Sequence, residues 1–426
     1  MPAARKWLRT DSIGRVPYPN RVSENEFAGS GRTLAEIGEF GLIEQVARPA
    51  RQGPAVLLGP GDDAAVIAAP DRRVVASTDL LVEGRHFRRD WSGGREIGRK
   101  AAAQNLADII AMGARPTALL VGLSAPGDVT VGWAADLAAG LAEESALVGA
   151  SVAGGDTTGG ERIVIAVTAL GSLEGRAPVL RSGAHPGDVV AVAGELGWSA
   201  AGLELLTRGV TGPDDAVHGK SAGGDSMQIS SAADPVRPGP DHPASADGSL
   251  PGPGKADRPG PDHRPSAEAP PEDGESGRSA DDPLAPWRAK ALARHRSPEP
   301  PYPAGPAAAL AGATAMLDVS DGLLADLGHI AKESWVAIDL DPALFPIPDG
   351  LRGLAKDCGL DPMHWFLTGG EDHALAGCFP ADRPLPPDWH RIGRVTAPAA
   401  QADLRVTVSG APWPGRQGWD HFADPG

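Results

Sequence analysis

Cysteine is nearly absent. The 426 residues carry only Cys358 and Cys378, which excludes a disulfide framework and a four-thiolate zinc site. Basic residues are outnumbered, 39 Lys and Arg against 55 Asp and Glu, for a net charge of −16. That balance argues against nucleic acid or an anionic membrane as the main partner. Apolar runs are short, and none approaches the roughly 18 residues of a membrane helix. The basic opening, MPAARKWLRT, has no apolar stretch behind it, unlike a secretory signal, so a soluble cytoplasmic protein is expected. Familiar phosphate motifs are missing too. Gly219-Lys220-Ser221 lacks the upstream spacing of a P-loop. The GPGDDA stretch at 59–64 fits a dinucleotide fingerprint only formally, because a strand-like run follows where a helix is required. DVSDG at 318–322 lacks the third carboxylate of an EF-hand loop.

Glycine and proline, by contrast, are abundant: 56 and 42 residues, about twice ordinary usage. Much of that excess lies in one segment, where residues 211–280 hold 12 Pro, 11 Gly and 9 Ser. Its large apolar residues are Val217, Met227, Ile229, Val236 and Leu250, too few to offset the entropy of ordering the chain. A near duplication, RPGPDHPASA from Arg237 and RPGPDHRPSA from Arg258, marks repeat expansion. The composition therefore predicts a disordered insertion over 211–282 and a flexible extension over 1–30.

What remains suits two α/β lobes, 31–176 and then 177–210 with 283–426. Apolar periodicity predicts a helix from Thr33, with Thr33 as its N-cap, and helices near 95–112, 131–148, 200–207, 287–294, 306–311 and 322–332. Strands are expected near 56–58, 74–76, 118–123, 163–169, 189–193, 315–319, 335–340, 391–395 and 404–408.

Carboxylates recur beside glycine and at the ends of apolar runs: Asp62 and Asp63 in GPGDDAAV, Asp79 in STDLLVEGRHF, Asp108 in QNLADIIAMGA, Asp156 in VAGGDTT, Asp318 and Asp321 in MLDVSDGLL. Singly, each fits turn chemistry, a solvated helix face or, for Ser320 and Asp321, a helix cap. If they converge, their repulsion must be relieved by protons or cations. Hard divalent ions, chiefly Mg²⁺, suit oxygen ligands where phosphates complete the shell. Arg181, in an RSG turn between the lobes, could reach a phosphate directly or be simply solvated.

Taken in order, GDDAAV, STDLLVEGRHF, NLADIIAMGA, GGDTT, RSGAHPGD, DVSDGLLADLGHI, GGEDHAL and GWDHF resemble the thiamine-monophosphate kinases, relatives of aminoimidazole-ribonucleotide synthetase. The resemblance spans about 31–210 and 283–423. It implies a two-lobed α/β fold of the aminoimidazole-ribonucleotide synthetase-like type, with an N-terminal ATP/Mg-binding lobe pairing with a second subunit as a homodimer and a C-terminal lobe closing the cleft. It implies ATP- and Mg²⁺-dependent conversion of thiamine monophosphate to the diphosphate. Carried over by motif, the Mg²⁺ ligands would be Asp63, Ser77, Thr78, Asp79, Asp108, Asp156, Asp318 and Asp321. Gly155, Asp156, Arg181 and Ser320 would meet ATP, and His86, Glu371 and Trp419 the thiamine phosphate, whose cationic ring suits an aromatic face and a carboxylate. No general base is assigned, since the attacking phosphate is already anionic.

The sequence departs from the family in GGEDHAL, where His373 and Ala374 stand in place of the usual Tyr and Glu, and in the 70-residue insertion. Two other readings stay open on the residues alone: an aminoimidazole-ribonucleotide-type synthetase, and a non-catalytic Mg-nucleotide regulator.

Overall fold

The computed structural model describes residues 31–37, 41–42, 52–59, 64–211, 282–398 and 406–419. The expected extension over 1–30, Asp62, Asp63 and nearly all of the expected insertion lie outside the described residues.

Strands β1 (Val56–Leu58) and β2 (Val66–Ile67) form a small antiparallel ribbon. The first large sheet contains β3 (Val75–Val82), β4 (Arg115–Ala125), β5 (Val152–Gly159) and β6 (Val164–Ser172), in the order β3-β6-β4-β5. Helix α1 (Gly94–Ala111) joins β3 to β4, and α2 (Val131–Leu147) makes the crossover between the parallel pair β4 and β5. The two helices touch backbone to backbone: a Cβ on Gly98 would lie 2.1 Å from the Leu137 carbonyl oxygen, and one on Gly140 2.0 Å from that of Arg95. Only glycine permits that approach. Beneath them Ile97, Leu106, Ile109, Leu119, Leu137, Ile165 and Val167 form one buried core. The helices cover one face of this sheet, while Leu80 and Leu120 on other strand positions are exposed.

The second sheet is six-stranded and mixed, ordered β12-β9-β11-β7-β10-β8. Its members are β7 (Val189–Ala193), β8 (Ala315–Val319), β9 (Ala337–Leu340), β10 (Ala374–Phe379), β11 (Trp389–Thr396) and β12 (Val406–Val408). Between β7 and β8 the chain forms α3 (Trp198–Thr207), α4 (Ala285–Arg296) and α5 (Ala304–Ala311); after β8 come α6 (Leu323–Ser334), α7 (Asp349–Cys358) and α8 (Pro362–Thr368). One face packs on α3, α4 and α6 to α8 through Val190, Leu205, Leu292, Leu317, Leu327, Leu354 and Phe366. The other face meets the end of α1, where Ile110 and Ala111 join Ala193, Ala308, Met316, Leu375 and Phe379 in a third cluster. Helix α1 is therefore buried nearly all round, between the two sheets, as its alanine-rich sequence allows.

This is a two-lobed α/β fold. No helix among the described residues is long and apolar enough to cross a membrane.

Candidate active site

The cleft is lined by residues of both sheets and has a volume of about 930 Å³, at the upper end of ordinary small-molecule sites. On the first sheet, β3 supplies Leu80 and two polar side chains to it. Ser77 and Asp79 line the cleft. Thr78 does not; its hydroxyl donates to the Val167 carbonyl at 3.0 Å and accepts from Thr168. Ser77 Oγ donates to Asp108 Oδ2 at 2.5 Å, and Asn105 Oδ1 accepts the Asp79 N–H at 3.1 Å. Beyond the strand, His86 Nδ1 accepts the Val82 N–H at 3.0 Å. An accepting Nδ1 carries no proton, so the ring is neutral with its hydrogen on Nε2.

From the second sheet, Asp318 is the next-to-last residue of β8 and the loop 320–322 turns into α6. Asp326, one turn into that helix, accepts the N–H groups of Ser320, Asp321 and Gly322, each at 3.1 Å. Two further segments lean on this loop. A Cβ on Gly370 would lie 2.4 Å from the Ser320 carbonyl oxygen, and one on Gly418 2.5 Å from that of Asp321. The close fit lets Glu371 N–H donate to Ser320 O and Trp419 N–H to Asp321 O, both at 2.8 Å. Glu371 and His373 hold left-handed backbone, φ 64° and 53°, a strain that collects at functional sites.

Ser77, Asp79, His86, Asp108, Arg181, Asp318, Ser320, Asp321, Glu371 and Trp419 thus line one cleft. Gly155 and Asp156 do not. They lie exposed on β5, at the opposite edge of the four-stranded sheet from β3, about 14 Å away at three strand spacings.

The two ends of the cleft differ in charge. Asp108 is pushed up to about 7, first by burial and then by the charges of Asp318 and Asp79, against the Ser77 hydrogen bond. His373 stands 3.3 Å from Asp318 through Nδ1; burial would lower its pKa, but that carboxylate outweighs it and raises it. At the other end Glu371 would be raised by burial, yet the Lys100 ammonium and His295 outweigh this and hold it at about 2. Lys100 Nζ donates to Glu371 Oε2 at 3.1 Å and to the His86 carbonyl at 3.0 Å.

Among the described residues, no three His, Cys, Asp or Glu side chains are grouped so as to enclose a metal ion. The donor set nevertheless fits Mg²⁺, which takes one or two carboxylates and completes its shell with phosphate and water. Mutually repelling carboxylates and a serine hydroxyl spread along an open cleft are donors of that kind.

Residues 61–173 match the family model described as AIR synthase related protein, N-terminal domain. The sequence is 41% identical to the thiamine-monophosphate kinase of Mycobacterium tuberculosis (strain CDC 1551 / Oshkosh), covering 95% of this chain and 97% of that one. It is 35% identical to the thiamine-monophosphate kinase of Corynebacterium glutamicum, covering 92% and 96%. The chain belongs to the thiamine-monophosphate kinase family. Its fold agrees with a solved structure of AaThiL complexed with AMPPCP and TMP, at a TM-score of 0.60 and 27% identity over 91% of this chain and 98% of that one.

Several groups at the site of this thiamine-phosphate kinase escape a reading of the sequence. Lys100, Gln104 and Asp108 recur every four residues on a helix otherwise rich in Ala, Ile and Leu, a polar stripe on one face that was the available signal for Lys100. Asp372 Oδ2 and Oδ1 accept the N–H groups of Gly197 and Ser199 at 2.6 and 2.8 Å, capping α3 from a distant part of the chain. Burial pushes Asp372 up to about 7 despite those bonds. His295, on α4, lines the cleft with Nδ1 3.2 Å from Ser199 Oγ; burial, then Lys100, lowers it to about 4.

Proposed function

We propose that the kinase transfers the γ-phosphoryl group of ATP directly to thiamine monophosphate, giving thiamine diphosphate and ADP. A terminal phosphate oxygen of thiamine monophosphate attacks the γ-phosphorus in line, and the bond from that phosphorus to the β–γ bridging oxygen breaks. The nucleophile is anionic near neutral pH, so alignment and charge neutralisation suffice and no general base is needed. Asp79, Asp108, Asp318 and Asp321, with Ser77, would hold Mg²⁺, which supplies the positive charge that lets two phosphate groups approach. By family motif Asp63 joins that set, whereas Thr78 and Asp156, which do not line the cleft, are left out of it. Arg181 and Ser320 meet the nucleotide phosphates. Neutral His86, Glu371 and the face of Trp419 hold the acceptor with its cationic ring.

The observation that carries this reading is that carboxylates, Arg181 and Ser320, and His86, Glu371 and Trp419 all line one cleft large enough for two ligands. The AaThiL complex with AMPPCP and TMP supports it from a relative. We also propose a cytoplasmic homodimer with lobes 31–176 and 177–210 plus 283–426. The uncovered face of the first sheet, with Leu80 55% and Leu120 36% exposed, is the candidate subunit interface.

Purified protein with Mg-ATP and thiamine monophosphate should yield thiamine diphosphate and ADP in equal amounts. ADP release that ignores thiamine monophosphate, or that responds instead to an aminoimidazole-ribonucleotide precursor, would overturn the proposal.

A further inference from the structure

We infer that Lys100 is the positioning residue of the acceptor end, its buried ammonium tying the Glu371 carboxylate and the main chain of His86 into one frame. The inference deepens the proposed function and rests on its reading that Glu371 and His86 meet thiamine monophosphate.

Lys100 is only 2% exposed. An ammonium taken out of water needs close acceptors, and two of its acceptors come from separate parts of the chain. One is Glu371 Oε2, 271 residues away in sequence; the other is the His86 carbonyl. His86 is then held at both ends, by Lys100 at its carbonyl and by the Val82 N–H at its ring. Glu371 is different in exposure: its side chain is 33% exposed while that of Lys100 is 3%. The lysine stands behind the carboxylate, and the carboxylate faces the cleft. One carboxylate oxygen tied to a fixed ammonium sets the plane that the other presents. Because the Glu371 backbone is left-handed, its direction depends on tertiary contacts such as this one.

The adjacent residue provides a control. Arg99 Nε and the Tyr302 hydroxyl both bond Glu144, at 3.0 and 2.6 Å, a second buried link from the first lobe to a segment of the second. None of these three side chains lines the cleft. Breaking that link should cost stability without touching acceptor binding.

Steady-state kinetics on Lys100→Met, Glu371→Gln, the double variant and Tyr302→Phe test the inference. Lys100→Met should raise the KM for thiamine monophosphate at least about tenfold with the KM for ATP within about twofold. The double variant should bind the acceptor no worse than Glu371→Gln alone, because the lysine acts through the glutamate. Tyr302→Phe should lower Tm and leave both KM values in place. Additive losses in the double variant, a parallel rise in both KM values, or the same KM pattern in Tyr302→Phe would overturn the inference. Should Lys100→Met fail to fold, Lys100→Arg keeps the charge and changes the geometry; it must show the same selective rise, and an unchanged KM would overturn the inference equally. If Glu371→Gln leaves acceptor KM unchanged, the reading of Glu371 as an acceptor contact fails. If it raises KM and neither lysine variant does, the inference about Lys100 alone fails.

Discussion

At one end of the cleft Asp108 faces Asp318 and Asp79, and after burial these carboxylates are what push it up to about 7. At the other end Glu371 is held at about 2, because Lys100 and His295 outweigh its burial. Glu371 has a lysine of its own at 3.1 Å, whereas the three carboxylates of the first end share one buried histidine, His373, 3.3 Å from Asp318. A carboxylate with its own lysine is electrostatically complete and can serve as a fixed surface for a ligand. Carboxylates that raise one another are incomplete and gain by taking a cation from outside. The first end is built to be filled and the second to be rigid.

Removing charge from the incomplete end should have the largest effect. Asp321→Asn at that end, and Asp63→Asn, which the family motif alone assigns to the metal set, should each lower turnover by about 10²–10³-fold, the usual scale for losing one electrostatic stabiliser of a transition state. Asn is close in shape to Asp, so far-UV circular dichroism should be unchanged. Added Mg²⁺ should recover part of the loss if it comes from weakened metal affinity. Near-normal rates in both variants at low Mg²⁺ would erase the contrast between the two ends.

The same contrast predicts how stability changes with pH in the absence of Mg²⁺. Asp108 has a folded value near 7 against 3.8 for an ordinary Asp, so between those values the folded chain binds more protons than the unfolded chain. Its contribution to stability therefore falls as pH rises through that window. Asp326 and Asp372, also raised to about 7, act in the same direction. His295, lowered to about 4, opposes them, being stabilising above its ordinary 6.5 and less so as pH falls toward 4. Comparing wild type with Asp108→Asn cancels Asp326, Asp372 and His295, leaving Asp108 and the His373 that it helps to raise. The variant should gain on wild type by roughly 2–4 °C in Tm per kcal/mol of relieved repulsion as pH goes from 4 to 7. Saturating Mg²⁺ should shrink that gap. Glu371→Gln should show no such gain, since Glu371 is stabilising above its ordinary 4.5 and that contribution is lost only as pH falls toward 2.

What the sequence made legible follows the same division. Strands at Val189–Ala193 and Ala315–Val319 match the apolar runs that predicted them, because buried strands read as uninterrupted hydrophobic sequence. Strand β5 escaped notice since VAGGDTTG looks like a loop, and its pairing with β4 supplies what its own residues lack. The helices at Asp349–Cys358 and Pro362–Thr368 and the strand at Ala374–Phe379 went unassigned among closely spaced Gly and Pro. At the site, most of the carboxylates were visible because they stand beside glycine or at the ends of apolar runs. Their counterparts were not: Lys100 reads as a solvated helix residue, and the partners of Asp372 lie more than 170 positions away. Local sequence shows which groups carry charge, whereas the fold decides which charges are compensated.

The smallest effect should come from shortening the long connection between two helices of the second lobe. Residues 212–281 connect α3 to α4, and those helices share a core through Leu205, Leu206, Ala291 and Leu292. Trp198 stacks on Trp287 at 6.1 Å, and Lys290 Nζ reaches Glu195 at 2.6 Å. The helix pair has its own packing, so a short linker of about ten Gly and Ser residues should close it. Loop closure costs about 0.6 kcal/mol per doubling of length, so cutting about 70 residues to about 10 favours folding by about 2 kcal/mol. The shortened kinase should keep its kcat/KM within about twofold and melt no lower than wild type. Loss of both folding and turnover would mean that the segment belongs to the folded core, contrary to its composition; loss of turnover alone would tie it to the cleft.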